Sequence, residues 1–88
     1  MTWLLIVIIV LNPAHQPVKG AWVEVEGMYK SGYIEEQTTD SRGHFVAAVE
    51  KGQHRIAVMK EGYVVYEGEF NTEQDTVTIV LQTAGQGT

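Results

Sequence analysis

The chain has 88 residues and no cysteine, and its 11 acidic and 6 basic residues give a net charge of −5. A chain of this length forms one domain, and without cysteine it has neither disulfides nor thiolate metal sites. The basic residues are scattered, so neither nucleic acid nor an anionic membrane surface is an expected partner. They are Lys19, Lys30, Arg42, Lys51, Arg55 and Lys60.

Trp3–Leu11 reads WLLIVIIVL and is apolar at every position. A cleaved signal is disfavoured, because no lysine or arginine precedes this run and no small-x-small site follows it. No membrane span is expected, because a bilayer helix needs about 20 apolar residues. The isoleucine and valine content favours a β-strand instead. Since none of its positions is polar, this strand needs cover on both faces.

The first half of the chain continues with short extended segments and turns. Residues 12–17 contain two prolines and form a turn, and residues 20–27 alternate as a second strand. Residues 33–39 are mostly polar and predict an edge strand. Residues 40–43 read Asp-Ser-Arg-Gly, with Asp first and Gly fourth as in a type I turn, which predicts a hairpin.

Four further strands are predicted at residues 44–49, 54–60, 64–70 and 76–82. The residues that alternation places together on one face of these strands include Phe45, Ala47, Val49, His54, Ile56, Val58, Val77, Ile79 and Leu81. No segment has a sustained helical period, and six or seven strands at this spacing predict a β-sandwich. We expect a single domain at residues 1–82 and a flexible polar tail at residues 83–88.

Three pieces of the sequence carry a family resemblance. They are PVKGAWV at residues 17–23, TDSRGHF at 39–45, and GQHRIAV at 52–58 followed by KEGY at 60–63. In this order and spacing they resemble the carboxypeptidase regulatory-like domain, with its P-V-x-G-A-x-V strand start, T-D-x-x-G-x-F hairpin and G-x-Y-x-L-x-V strand followed by x-x-G-Y. The resemblance covers residues 4–82. It implies an all-β, seven-stranded antiparallel Greek-key β-sandwich of the transthyretin-like (Ig-like) kind, used as an accessory module.

The sequence departs from the family pattern at three places. His15 stands where the family has a turn glycine, which requires a left-handed backbone at that histidine. His54 stands where the family has an inward aromatic residue. The outward positions of the first strand are apolar here, whereas the family has polar residues there. The related fold also hosts a hydrolase of a purine breakdown product, but its C-terminal Tyr-Arg-Gly-Ser signature is absent.

Three sets of polar residues are candidates for catalysis or metal binding. The histidines His15, His44 and His54 lack the paired spacing of a ligand cluster, and Asp40, Ser41 and His44 crowd one turn rather than forming a triad. Asn71, Glu73 and Asp75 provide too few oxygen atoms for a full calcium site. Glu24, Glu26, Glu67 and Glu69 are interpreted as a solvated acidic face. We expect no enzymatic activity, no cofactor and no metal site.

The first strand carries the main functional prediction. Alternation assigns Leu4, Ile6, Ile8 and Val10 to the core and leaves Trp3, Leu5, Val7, Ile9 and Leu11 on the opposite face. Monomeric proteins rarely expose such an apolar stripe, so these five residues predict a self-association interface. The alternative is that the loop at residues 28–32 of the same chain folds over the stripe.

Two functional hypotheses follow from these residues. The first is a structural or interaction module that forms a homo-oligomer or docks on a larger assembly, such as a virion or a surface filament. The second is an accessory module that binds a glycan or a protein surface through Trp22, Tyr29 and Tyr33, since exposed aromatic residues form such platforms.

Overall fold

The computed structural model describes residues 3–28 and 37–85, and these residues form six strands and no helix. The strands are β1 (Trp3–Leu11), β2 (Trp22–Val25), β3 (His44–Glu50), β4 (Gln53–Met59), β5 (Tyr66–Asn71) and β6 (Thr76–Val80). They form two three-stranded sheets, sheet A with the order β3-β1-β6 and sheet B with the order β2-β4-β5. The prediction of an all-β protein with two sheets is confirmed.

The apolar first strand lies at the centre of sheet A. It pairs antiparallel with β3 and parallel with β6, and the parallel register joins Val7 to Thr76 and Leu11 to Val80. The prediction of a wholly antiparallel sandwich is therefore wrong. Two parallel strands need a long crossover, and here the connection from β1 to β6 runs through β2 in sheet B, β3 in sheet A, and β4 and β5 in sheet B before it returns to sheet A at β6.

One core lies between the two sheets, and the predicted alternation places its residues correctly. On β1, Ile6, Ile8 and Val10 are buried, and Leu4 packs against the core at its margin. The remaining buried strand residues are Val23 and Val25 on β2, Ala47 and Val49 on β3, Ile56 and Val58 on β4, Phe70 on β5 and Ile79 on β6. Strands β1 to β4 each contribute alternate residues, as expected for a sheet with one face in the core, and β5 and β6 contribute one buried residue each.

The predicted strand at residues 33–39 is described only at its end. Thr38 forms an antiparallel bridge with Trp22, and the N–H group of Val23 donates to the carbonyl of Gln37 over 2.9 Å. Residues 33–36 lie outside the described residues. The described part of the chain thus contains six strands rather than the seven predicted.

The predicted turn at residues 40–43 forms, but it does not join two neighbouring strands. The N–H group of Gly43 donates to the carbonyl of Asp40 over 2.9 Å, which closes the turn. Residues 37–39 lie beside β2 in sheet B, whereas β3 pairs with β1 in sheet A. The turn therefore carries the chain from one sheet to the other, and the prediction of a hairpin is wrong.

Thr39 is a buried polar residue that connects two segments. Its hydroxyl donates to the carbonyl of Val18 over 2.6 Å and accepts from the N–H group of Ala21 over 2.9 Å. Only 3% of the surface of Thr39 is exposed to solvent. Because water has little access to such a buried site, this one hydroxyl is the partner of two backbone groups in the segment that leads into β2.

Replacing Thr39 by valine is expected to lower the free energy of unfolding by about 2–4 kcal/mol, because two buried backbone groups lose their partner while the side-chain volume is kept. The control Thr39→Ser keeps the hydroxyl and loses one methyl group, which costs about 1 kcal/mol. Urea unfolding followed by circular dichroism measures both values. Equal losses in the two variants would show that the hydroxyl does not carry the stabilisation.

The C-terminal strand is followed by residues that still pair with the domain. Thr83 bridges Tyr63, and the N–H group of Ala84 donates to the carbonyl of Gly62 over 3.0 Å. Both residues belong to the segment predicted as a flexible tail. Residues 86–88 of that segment lie outside the described residues.

Candidate functional site

The outward side of β1 is an apolar surface that is partly exposed to solvent. Leu5 is 66% exposed and Trp3 is 39% exposed, while Val7, Ile9 and Leu11 are half-buried. The five residues predicted as a self-association interface therefore lie together on the side of β1 that faces away from the core. Whether they form an interface stays a prediction.

The neighbouring strands extend this surface. From β3, Ala48, Val46 and His44 lie beside Leu5, Val7 and Ile9, and from β6, Thr76, Thr78 and Val80 lie beside Val7, Ile9 and Leu11. Residues directly opposite each other in a sheet point to the same side. We call the surface formed by these residues, together with Trp3 and Glu50, the outer face of sheet A.

The register explains why exposure differs along β1. Val7 and Ile9 have a neighbouring strand on both sides, which shields part of each side chain. The pairing with β6 begins at Val7, so Leu5 has a neighbour only on β3. The half-burial of Val7 thus comes from its own sheet, and Leu5 projects furthest into solvent.

Sequence reasoning missed Val46 as a part of this surface. It is 55% exposed and lies directly opposite Val7. Alternation along β3 already indicated that Val46 and Ala48 point away from the core. Only the pairing of β3 with β1 shows that they adjoin the apolar side of the first strand, and pairing between distant strands cannot be read from periodicity.

The loop proposed as an intramolecular cover begins inside the core. Met28 is buried and belongs to the same hydrophobic cluster as Val23 and Val25. Residues 29–32 lie outside the described residues. The described part of this loop therefore packs between the sheets and not over the outer face of sheet A.

The three histidines are distributed over separate parts of the fold. His15 lies in the turn after β1 with a φ of 62°, so the expected left-handed backbone is confirmed. His44 lies on the outer face of sheet A. The ring nitrogens of His54 lie 2.9 Å and 2.8 Å from the carbonyl oxygens of Glu26 and Glu50, so this ring joins the end of β2 to the turn before β4.

The group Asp40, Ser41 and His44 is organised by the turn and not as a triad. The Asp40 carboxylate accepts hydrogen bonds from the backbone N–H groups of His44 and Arg42, each over 2.9 Å. These two bonds, with His44 the larger contributor, hold the pKa of Asp40 below its ordinary value. The carboxylate thus stabilises the turn by accepting hydrogen bonds from its backbone.

The polar loop before β6 is likewise held by local bonds. The side-chain oxygen of Asn71 accepts from the N–H group of Glu73 over 2.9 Å, and Asp75 accepts from the Thr76 hydroxyl over 3.3 Å. In residues 3–28 and 37–85, no three His, Asp or Glu side chains are grouped so that they would hold a metal ion.

The outer face of sheet B carries an open groove of about 630 Å³. Its charged lining residues are Glu24, Glu26, Arg55, Glu67 and Glu69. Arg55 Nε lies 4.0 Å from Glu69 Oε2, and both side chains are more than half exposed. Exposed ion pairs of this kind contribute little to stability. The interpretation of these glutamates as a solvated acidic face stays a prediction.

Of the three aromatic residues predicted to contact a ligand, the structure describes one. Trp22 is 42% exposed on β2, and its indole N–H group donates to the Glu24 carboxylate over 2.9 Å. Tyr29 and Tyr33 lie outside the described residues. A platform formed by all three stays a prediction.

Comparison with models of known protein families and with curated proteins finds no match to this chain. Within the described ranges, no helix has the length and apolar character needed to cross a bilayer.

Proposed function

We propose that this protein is a non-enzymatic structural or interaction module that self-associates through the outer face of sheet A or uses this face to dock on a larger assembly. A virion or a surface filament is the kind of assembly meant. The observation that carries the proposal is the exposure of Leu5 and Val46 within a surface that is apolar along the whole of β1.

The size of this surface supports a modest affinity. Three strands spaced about 4.8 Å apart, with a central strand about 30 Å long, bury on the order of 1,000 Å² in total when two copies meet. That area lies at the low end for specific interfaces. Each well-buried aliphatic side chain contributes about 1.5–3 kcal/mol, against an association cost of at least about 4 kcal/mol. A dissociation constant in the micromolar range is expected.

The non-enzymatic part of the proposal is supported by what the polar residues do. Asp40 accepts hydrogen bonds within its turn, and the His54 ring lies between two backbone carbonyls. Catalysis by a nucleophile needs an acid and a base directed at one another and at a substrate. These side chains instead hold turns together.

We also propose that the fold is the seven-stranded Greek-key sandwich of carboxypeptidase regulatory-like domains, with residues 33–39 as the seventh strand. Support comes from residues 37–39, which already pair with β2 in the manner of a further strand. Such a domain would act as an accessory module, which agrees with a role in assembly.

Light scattering on the purified protein after size-exclusion chromatography tests the self-association. Between about 1 and 200 µM, the average mass is expected to rise from that of one chain to that of two, as for a micromolar equilibrium. Trp22→Phe leaves Trp3 as the sole tryptophan, and its emission is expected to shift to shorter wavelength over the same range. A single-chain mass at every concentration would contradict self-association.

A further inference from the structure

The edge of sheet A that is formed by β3 carries unpaired backbone groups. The N–H group of Val10 donates to the carbonyl of Gly43 over 2.8 Å, which extends the antiparallel register of β1 with β3. Hydrogen-bonded and non-hydrogen-bonded positions alternate along such a pair. The odd-numbered residues of β3 therefore direct their backbone groups toward β1, whereas Val46, Ala48 and Glu50 direct theirs away from it.

These outward backbone groups define a free stretch of the edge. In the described part of the chain, both backbone groups of Val46 and Ala48 and the N–H group of Glu50 have no hydrogen-bond partner. His44 does have partners, because its N–H group donates to the Asp40 carboxylate over 2.9 Å and its carbonyl accepts from the Asp40 N–H group over 3.0 Å. We call the stretch from Val46 to Glu50 the free edge of β3.

The two edges of sheet B are protected from pairing. On one side, β2 is hydrogen-bonded to residues 37–39. On the other side, the N–H group of Thr72 donates to the carbonyl of Gly52 in the register of β4 with β5, so the backbone groups of Glu67 and Glu69 point outward. Two such edges would place like charges opposite each other, which destabilises strand pairing.

The edge of β6 is uncharged but more polar than the free edge of β3. Its backbone bonds to β1 leave Thr76 and Thr78 pointing outward. On β3, by contrast, Val46 is 55% exposed beside an unpaired edge, whereas Val7, which has a neighbouring strand on both sides, is half-buried. A strand added to β3 would therefore also shield Val46 from water.

We propose that the free edge of β3 pairs with the same edge of a second copy, antiparallel, about a two-fold axis at Ala48. In this register the N–H group of each Ala48 donates to the carbonyl of the other, and the N–H group of each Glu50 donates to the carbonyl of Val46 in the other copy. Two-fold pairing needs a self-complementary surface, and the free edge of β3 provides one. The two Glu50 residues are about 13 Å apart along the strands, which limits their repulsion.

This pairing joins two copies of sheet A into one sheet of six strands. Both outer faces then lie on the same side of that sheet, so a larger apolar surface faces an assembly. The interface is an edge and not a face, so this inference stands independently of the proposed function. Each backbone hydrogen bond contributes little net in water, so the dissociation constant of the edge pairing is expected to be in the millimolar range.

Single cysteine variants test the register, because the chain has no cysteine of its own. Ala48→Cys is expected to form a disulfide-linked dimer under mild oxidation, since opposite residues of a hydrogen-bonded pair have Cα atoms about 5.5 Å apart, within the range of a disulfide. Val46→Cys is the control. Its side chain is more exposed, but its two copies are about 13 Å apart along the strands, so cross-linking is expected to be at least about tenfold slower. Equal rates would overturn the proposal.

The same cross-link distinguishes the edge from the outer face of sheet A. Leu5→Lys weakens contacts through that face, and Ala48→Cys is expected to cross-link at an unchanged rate when the two substitutions are combined. Loss of the cross-link in the combined variant would show that it forms through the outer face and would overturn the edge pairing. A wild-type protein that stays monomeric up to 200 µM, with the cross-link present, would contradict the proposed function alone.

Proline substitutions identify which edge is used. Ala48→Pro removes an N–H group that does not bond to β1, so the fold is expected to be kept, as circular dichroism checks. At about 2 mM, this variant is expected to have a lower average mass than the wild type in light scattering. Thr78→Pro makes the same change on β6 and is expected to keep the wild-type mass. An effect of Thr78→Pro alone would overturn the proposal, and if Ala48→Pro does not fold, the two cysteine variants decide.

Discussion

A variant with lysine at both Leu5 and Val46 is expected to remain monomeric at concentrations at which the wild-type protein is a dimer. These two side chains are the most exposed aliphatic ones on the outer face of sheet A. Closing the interface over two ammonium groups would require their desolvation without a partner charge. The dissociation constant is expected to rise at least about 100-fold, so that a dimer with a micromolar dissociation constant would no longer form at the concentrations used in light scattering.

The same substitutions are expected to leave the fold intact. Leu5 and Val46 are more than half exposed, and surface changes away from special backbone positions usually alter the free energy of unfolding by less than about 0.5 kcal/mol. The aliphatic stem of lysine also retains part of the contact with the sheet. Circular dichroism and a urea titration at low protein concentration are expected to match the wild type.

Val64 and Val65 provide the matched control. They are 53% and 52% exposed, which is nearly the exposed fraction of Val46, and they lie in the segment that leads into β5 of sheet B. Changing both to lysine adds the same charge and removes a similar apolar surface. This control variant is expected to keep the wild-type dissociation constant in light scattering. Equal weakening in both double variants would show that net charge, and not the outer face of sheet A, controls association.

The sequence predicts which side of each strand faces the core, because apolar and polar residues alternate along a strand with a period of two. On β1 it separates Ile6 and Ile8 from Leu5 and Val7, and the structure places the first pair inside and the second outside. The turn closed between Asp40 and Gly43 was equally predictable, because its residue types have a local cause.

Strand pairing could not be predicted in this way. No local sequence pattern indicates that β1 pairs parallel with β6 or that the chain crosses between the sheets at residues 40–43. Both features depend on contacts between distant parts of the chain. Val46 illustrates this limit. Alternation along β3 predicts that its side chain points outward, but its position beside Val7 is known only from the pairing of β3 with β1. The candidate site was thus predictable on the first strand and incomplete on its neighbours.

Gly43→Ala is expected to lower the free energy of unfolding by about 3 kcal/mol or more, since a side chain there meets both a conformational and a steric obstacle. Gly43 has a φ of +76° in the turn that connects the sheets. A Cβ atom on this residue would lie 2.5 Å from the carbonyl oxygen of Val10 and 3.2 Å from the nitrogen of Val18. The Val10 carbonyl cannot readily move away, because it accepts a hydrogen bond from the Val18 N–H group over 3.0 Å.

Gly20→Ala separates the two obstacles. Gly20 has nearly the same φ, +78°, but the nearest atom to an added Cβ is the flexible end of Lys60 at 3.4 Å. This variant should therefore lose only the conformational part, about 1–2 kcal/mol. The difference between the two variants in urea unfolding measures the cost of the close approach to Val10. Val10 lies on β1 between Ile9 and Leu11, so a backbone shift at Val10 would also displace the outer face of sheet A. Gly43→Ala is therefore expected to weaken the dimer, whereas Gly20→Ala is expected to leave it unchanged. Equal losses of stability in the two variants would contradict the steric argument.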